Sequence, residues 1–262
     1  MPSAAPLSDV AAENVEDPAR AAKRKEIEER VRLAKEQQAR EAQNMLTKDE
    51  IVAKLNTVPV FVVLNGDENA VSLKDDATDE ESIFWHIEPA SAKAHLEVII
   101  RESPSVAGLH LGAMSLGVAL PLAAGWTGAA LQSHAGDAGG ATGVLPPTVG
   151  HKIVFADEVA GVAMPVFLCD QLQTQQALPV FFNRRDLAAA WMKSGRPKEA
   201  FTNENLMVID LRRFIDDMQT GKYDLFSTVT FVPSGAAVAV LANQQRQNEQ
   251  AQADGAEPPP LA

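Results

Sequence analysis

Leu55-Asn-Thr-Val-Pro-Val-Phe-Val62 is echoed by Gly161-Val-Ala-Met-Pro-Val-Phe-Leu168, the shared Pro-Val-Phe starting at Pro59 and at Pro165. Both runs are β-branched and aromatic, which marks buried strands. Proline is tolerated at a strand's start, where its missing N–H costs no ladder hydrogen bond. Working outward, a second strand follows each run: Ser82-Ile-Phe-Trp-His-Ile87 and Ala177-Leu-Pro-Val-Phe-Phe182. A capped helix comes next. Glu88-Pro89 opens the first, with Leu96, Ile99 and Ile100 as its apolar face and Ser103-Pro104 as its stop. Asn183 caps the second, Leu187 and Trp191 lie at i,i+4, and Gly195 with Pro197 ends it. Third strands follow at Gly108–Leu111 and Asn205–Ile209, and a short helix closes each half: Gly117–Trp126 in the first, Leu211–Gln219 in the second, capped by Asp210 and Gly221.

The pattern predicts an α+β protein of two pseudo-symmetric β-β-α-β-α repeats packed into one domain. Each unit, at about 60–70 residues, is marginal alone and needs the other. The two Pro-Val-Phe strands are expected to pair across the pseudo-twofold. A last strand, Ser227–Val232 or Ala236–Leu241, finishes the second half.

The expected organisation is a disordered tail at 1–17, a charged helix at 18–46, the first repeat at 47–126, a Gly-rich linker at 127–150, the second repeat at 151–241 and a disordered tail at 242–262. Asp17-Pro18 reads as a helix start, and Glu26/Arg30, Glu28/Arg32 and Glu36/Arg40 fall at i,i+4. Ile27, Val31 and Ala34 form a thin apolar stripe, too sparse for a coiled-coil seam but usable as a docking arm. Thr47-Lys-Asp-Glu50 is a capping box that starts a short helix ending before Asn56. The Gln/Asn/Ala/Pro-rich C-terminus has almost nothing to bury.

Of 262 residues, 23 are Lys or Arg and 35 are Asp or Glu, a net charge of −12. That balance argues against nucleic-acid binding. One cysteine, Cys169, rules out an intramolecular disulfide and argues against a cysteine zinc site. No secretory or transit pattern is visible in residues 1–17. From Ser103 to Gly136 no residue is charged. Its interruptions by His110, Ser115, Pro121 and several glycines favour a buried strand and helix over a membrane span, so membrane association is expected to be peripheral. The helix Gly117–Trp126 lacks a polar face and must be covered by the other repeat, a partner or a non-polar polypeptide. The five histidines share no metal spacing, and no Ser/His/Asp set or phosphate loop assembles. The chain is therefore expected to be no enzyme and to hold no cofactor or metal.

Val58-Pro-Val-Phe61, Met164-Pro-Val-Phe167, Leu178-Pro-Val-Phe-Phe-Asn-Arg-Arg-Asp-Leu187 and Leu206-Met-Val-Ile-Asp-Leu211 resemble the Tic22-like family over roughly Lys48 to Val232. The resemblance implies a two-repeat α+β fold with a hydrophobic groove in each half. It also implies a chaperone-like factor of the plastid import translocon, located in the intermembrane space and partnered by preproteins and translocon subunits. The alternative is a structural subunit derived from that family and docked on a plastid membrane complex through its N-terminal helix and apolar face. Candidate groove residues are Phe61, Leu109, Leu111, Met114, Leu116, Leu120, Phe167 and Trp191.

Overall fold

The computed structural model describes residues 18–74, 79–123, 149–223 and 225–254. The tail at 1–17 and the linker up to residue 148 lie outside them.

Helix α1 (Pro18–Asn44) is followed by α2 (Lys48–Leu55), whose capping box forms as the sequence predicts. Glu50 N donates to Thr47 Oγ1 at 3.3 Å, and Thr47 N donates to Glu50 Oε2 at 2.8 Å. The first sheet holds β1 (Pro59–Leu64), β2 (Ser72–Lys74), β3 (Glu81–His86) and β4 (His110–Ser115), in the order β2-β3-β1-β4. Helix α3 (Pro89–Glu102) links β3 to β4, and α4 (Leu116–Ala123) follows β4 directly. Strand β5 (Gly150–Val154) then pairs parallel with β3, from Ser82↔Gly150 to His86↔Val154. The sequence places residues from 151 onward in the second half, yet this strand completes the first sheet.

The second sheet comprises β6 (Pro165–Leu168), β7 (Leu178–Phe181), β8 (Met207–Asp210) and β9 (Val229–Val232), in the order β8-β6-β7-β9. Helix α5 (Arg184–Lys193) joins β7 to β8, α6 (Leu211–Thr220) follows β8 directly, and α7 (Gly235–Asp254) ends the described chain.

The two sheets are wired alike. In each, the Pro-Val-Phe strand lies between two antiparallel neighbours, and a later strand adds parallel to one of them. Pro59 pairs with Ser115 where Pro165 pairs with Asp210, and Phe61 pairs with His86 where Phe167 pairs with Phe181. Leu116 N donates to Val58 O at 2.7 Å, as Leu211 N does to Met164 O at 2.7 Å. The expected pairing between the two Pro-Val-Phe strands does not occur: each is central to its own sheet.

Strand alternation explains where the core sits. Val58, Val60 and Val62 from one sheet, with Val166, Leu168, Val180 and Phe231 from the other, join one cluster with α2, α4 and α6. The opposite sides of the strands face outward. Phe61 and Val63 are covered by α3 and the start of α7, whereas Phe167 and Phe181 are covered by α5. Gly117 starts α4 against α2, where a Cβ would run into the Asn56 side chain and the Val52 carbonyl. With Leu116, Ala119 and Leu120 in the core, that contact covers the described part of the expected apolar helix from inside the protein, and its residues 124–126 lie outside the described residues.

Residues 242–254, expected to be disordered, form most of α7. Ser234 caps it through Ala237 N at 3.1 Å, and Ala237, Val240 and Leu241 pack on the first sheet's outer face. Three apolar anchors and a run of Ala and Gln, good helix formers, suffice where composition alone suggested nothing to bury. Residues Ala236–Leu241, the second option for the last strand, belong to this helix. Helix α1 stands off the body, and its i,i+4 pairs are Arg24–Glu28 and Arg32–Glu36 rather than the expected Glu-first pairs. Glu28 and Glu36 each have an arginine four residues away on either side, so for them the choice is nearly degenerate. Only the end of α1 meets the body. Gly221, at φ +65°, packs so closely on the Glu41 carbonyl that a Cβ would not fit, and Leu46 N donates to Met218 O at 3.0 Å.

Candidate functional site

The eight groove residues do not line one surface. Phe61, Leu109 and Leu111 lie on the outer face of the first sheet, Phe167 and Trp191 on that of the second, and Leu116, Leu120 and Met114 belong to the central core. Phe61, Leu116, Leu120, Phe167 and Trp191 are at most 1% exposed. Leu116 and Leu120 thus hold the two halves together and line no groove in this conformation. Trp191 is fixed by Nε1 donating to Pro197 O at 2.9 Å and by the Arg196 guanidinium over its ring.

Two hollows remain. One, about 260 Å³, opens beside the end of β1 and is lined by Asn56, Thr57, Pro59, Ala113, Met114, Ser115 and Leu241. Met114 is the candidate residue that reaches it, and Leu241 of α7 also lines it. The other, about 450 Å³, lies between the halves and is lined by Glu88, Ser91, Phe155, Asp157, Asn183 and Arg185 among others.

The second hollow is built on a polar knot. Glu88 is 8% exposed and accepts from Asn183 Nδ2 at 2.7 Å and from Ser234 Oγ at 3.1 Å. Asn183 also caps α5 by accepting from Asp186 N at 2.7 Å, and Asp186 Oδ2 accepts from Gly235 N at 3.0 Å. The N-termini of α3, α5 and α7 therefore converge on two carboxylates, which their positive ends favour. A buried carboxylate survives because charge-assisted hydrogen bonds replace the water it has lost. The sequence reading used Glu88 and Asn183 only as helix caps. Their equivalent positions, each opening the helix after a second strand, were the signal available for a shared site.

Beside the knot, His86 Nδ1 lies 2.9 Å from Ser91 Oγ, and His86 Nε2 lies 2.8 Å from His95 Nδ1. Burial and then the neighbouring His95 push the His86 pKa down to about 4, and burial lowers that of His95. Both imidazoles are thus mainly neutral at pH 7, and one ring donates to the other in the bond between them. Burial also lowers the His151 pKa, keeping its Nδ1 an acceptor for Trp85 Nε1 at 3.2 Å. His86 thus ties β3 to α3, and Trp85 separately ties β3 to β5. Among the described residues, no group of three or more His, Cys, Asp or Glu is placed to hold a metal ion. Cys169 is 1% exposed. No helix among the described residues is long and apolar enough to cross a membrane.

No protein-family model and no curated protein sequence matches the chain. Solved structures do. Tic22 from Plasmodium falciparum superimposes with a TM-score of 0.54 at 16% identity, covering 75% of this chain and 98% of that one. The Tic22 of Anabaena, described under protein transport, gives 0.51 at 15% identity, covering 76% and 98%. At these identities the likeness is one of fold: the chain has a Tic22-like α+β fold.

Proposed function

We propose that this protein is a non-enzymatic plastid factor that acts in protein import, binding non-polar stretches of preproteins on the outer faces of its sheets. The observation that carries the reading is the Tic22-like fold spanning three quarters of the chain, 75% and 76% in the two comparisons. The apolar outer face of the first sheet supplies the binding chemistry. Phe61, Val63 and Leu111 lie beneath α3 and the start of α7, and the hollow lined by Ala113, Met114 and Leu241 is the opening toward that face. In this reading the protein meets translocon subunits and preproteins in the intermembrane space, as a peripheral component. The test is binding of reduced, unfolded α-lactalbumin to the full chain, read by fluorescence anisotropy against folded α-lactalbumin. Selective binding of the unfolded form supports the reading, and indifference to folding state refutes it.

A second reading rests on α1. Ile27 (61%) and Val31 (49%), with Ala34 on the same stripe, are exposed on a helix that touches the body only at its end. A structural subunit docked through α1 on a plastid membrane complex would bury them. Co-migration with such a complex, lost on deletion of α1, would favour this reading.

A further inference from the structure

We propose that the outer edge of β4 accepts an extended, non-polar polypeptide segment as an added antiparallel strand, with one large apolar side chain of that segment seated in the hollow beside Ala113 and Ser115. This rests on the client-binding reading above and names the form in which the client is held and the strand that holds it.

The backbone of β4 fixes the chemistry of the occupant. Leu116 N donates to Val58 O, and the register runs unbroken from Pro59↔Ser115 to Leu64↔His110. Along an antiparallel ladder, hydrogen-bonded and non-hydrogen-bonded pairs alternate. His110, Gly112 and Met114 therefore turn their N–H and C=O groups to β1, and Leu111, Ala113 and Ser115 turn theirs away from it. β4 pairs with β1 alone. The outward N–H groups of Leu111, Ala113 and Ser115 and the outward C=O groups of Leu111 and Ala113 have no partner among the described residues. Donors and acceptors at this spacing are matched by another extended backbone. The other sheet edges are guarded. On β9, Lys54 Nζ donates to Ser227 O at 2.8 Å and to Val229 O at 3.0 Å, and Thr57 Oγ1 to Phe231 O at 3.4 Å. β5 carries the exposed Lys152, and β8 is four residues long and ends at Asp210, whose carboxylate holds Arg212. Covers, charges and short length keep an edge from pairing. β4 has six residues and contains no Asp, Glu, Lys, Arg or Pro.

The hollow supplies the rest of the site. Three successive β4 residues, Ala113, Met114 and Ser115, line it with Pro59 and Leu241, and no charged residue does. At about 260 Å³ it has room for a leucine or phenylalanine side chain, whereas a charge placed there would lose its water without gaining a partner. A second copy of β4 does not fill it. On the face of Ala113 and Ser115, β4 offers only those small residues and Leu111, which is 2% exposed and held beneath α3 and α7 of its own chain. The occupant is therefore a segment of another polypeptide that brings its own large apolar side chain. Backbone pairing holds such a segment whatever its sequence, and the hollow selects one position in it.

The experiment uses the full chain and a fluorophore-labelled ten-residue peptide of alternating Val and Thr with one central Leu, read by anisotropy. Two further peptides keep every side chain and carry backbone N-methyl groups on alternate residues, each along a different edge of the strand. Methylation of one edge should weaken binding at least tenfold and methylation of the other should leave it within twofold, because an added strand pairs through one edge only. Exchanging the central Leu for Ala should weaken binding about tenfold. Saturating peptide should slow hydrogen exchange at the Leu111, Ala113 and Ser115 amides about tenfold. Ala113→Pro removes an N–H that the fold leaves unpaired, so it should keep the thermal midpoint within a few degrees and weaken peptide binding at least tenfold. Should that variant unfold, the methylated peptides and the exchange measurement decide the matter. Equal affinity of the two methylated peptides, or no peptide binding while unfolded α-lactalbumin binds, overturns the added strand and leaves the client-binding reading standing. Absence of binding to peptide and α-lactalbumin alike overturns both. A dimer that Ala113→Pro dissociates, seen by sedimentation equilibrium, assigns the edge to a second copy and overturns the proposal.

Discussion

Replacing His86 by Phe should reverse the order of stability between neutral and acid pH. His86 is 4% exposed on β3, opposite Phe61, and the matching place in the second sheet holds Phe181 opposite Phe167. A phenyl ring therefore suits a position of this geometry. Burial and His95 lower the His86 pKa from 6.5 to about 4. The sign follows from proton counting. Below pH 6.5 the unfolded chain takes up a proton that the folded protein refuses, so stability falls as pH drops from about 6.5 to about 4 and levels off below that. At 1.36 kcal/mol per unit, the loss from this one group reaches about 2.5 kcal/mol near pH 4.5. His86→Phe abolishes that loss. It also gives up the hydrogen bonds to Ser91 and His95, partly offset by added apolar area, for a net cost of about 1 kcal/mol near pH 7.5. The variant should therefore be less stable than the parent at neutral pH and more stable by about 1.5 kcal/mol near pH 4.5. Urea unfolding followed by tryptophan fluorescence, repeated across this pH range, measures both curves. A difference that stays constant to within about 0.5 kcal/mol would show that His86 titrates normally and that the buried histidine pair is misread.

Phe61→Ala and Phe167→Ala, each at a fully buried outer-face position, should each cost about 3–5 kcal/mol in urea unfolding. A variant that unfolds like the parent would place that strand outside the packed core. Removing residues 1–40 should shift the thermal midpoint by no more than a few degrees, because the contacts of Glu41 and Leu46 with α6 are kept. Calorimetry showing a large drop would mean that the exposed length of α1 packs on the body.

Much of the local structure was legible in the residues because its causes are local. Thr47 and Glu50 cap α2 by their own side chains, Pro89 fits the first turn of α3, and Gly221 takes the left-handed conformation that ends α6. Strands followed from runs such as Pro59–Leu64, apolar at almost every position because both faces are covered. The short amphipathic helices followed from their spacing of apolar residues.

Other features required partners distant in sequence. Nothing within Gly150–Val154 says that it pairs with β3, some 68 residues earlier at Ser82↔Gly150, rather than joining the strands that follow. The apolar stretch around Leu116 and Leu120 reads equally as a groove or as core until Gly117 brings α4 against α2. The tail around Val240 and Leu241 reads as disordered until the first sheet offers an apolar face and Ser234 a cap. The knot of Glu88, Asn183, Asp186 and Ser234 joins helix starts up to 146 residues apart. Sequence patterning records which face of an element is apolar, because that depends on its own periodicity. Which apolar face covers which is settled by packing among all of them at once, and for this protein that choice separates groove from core.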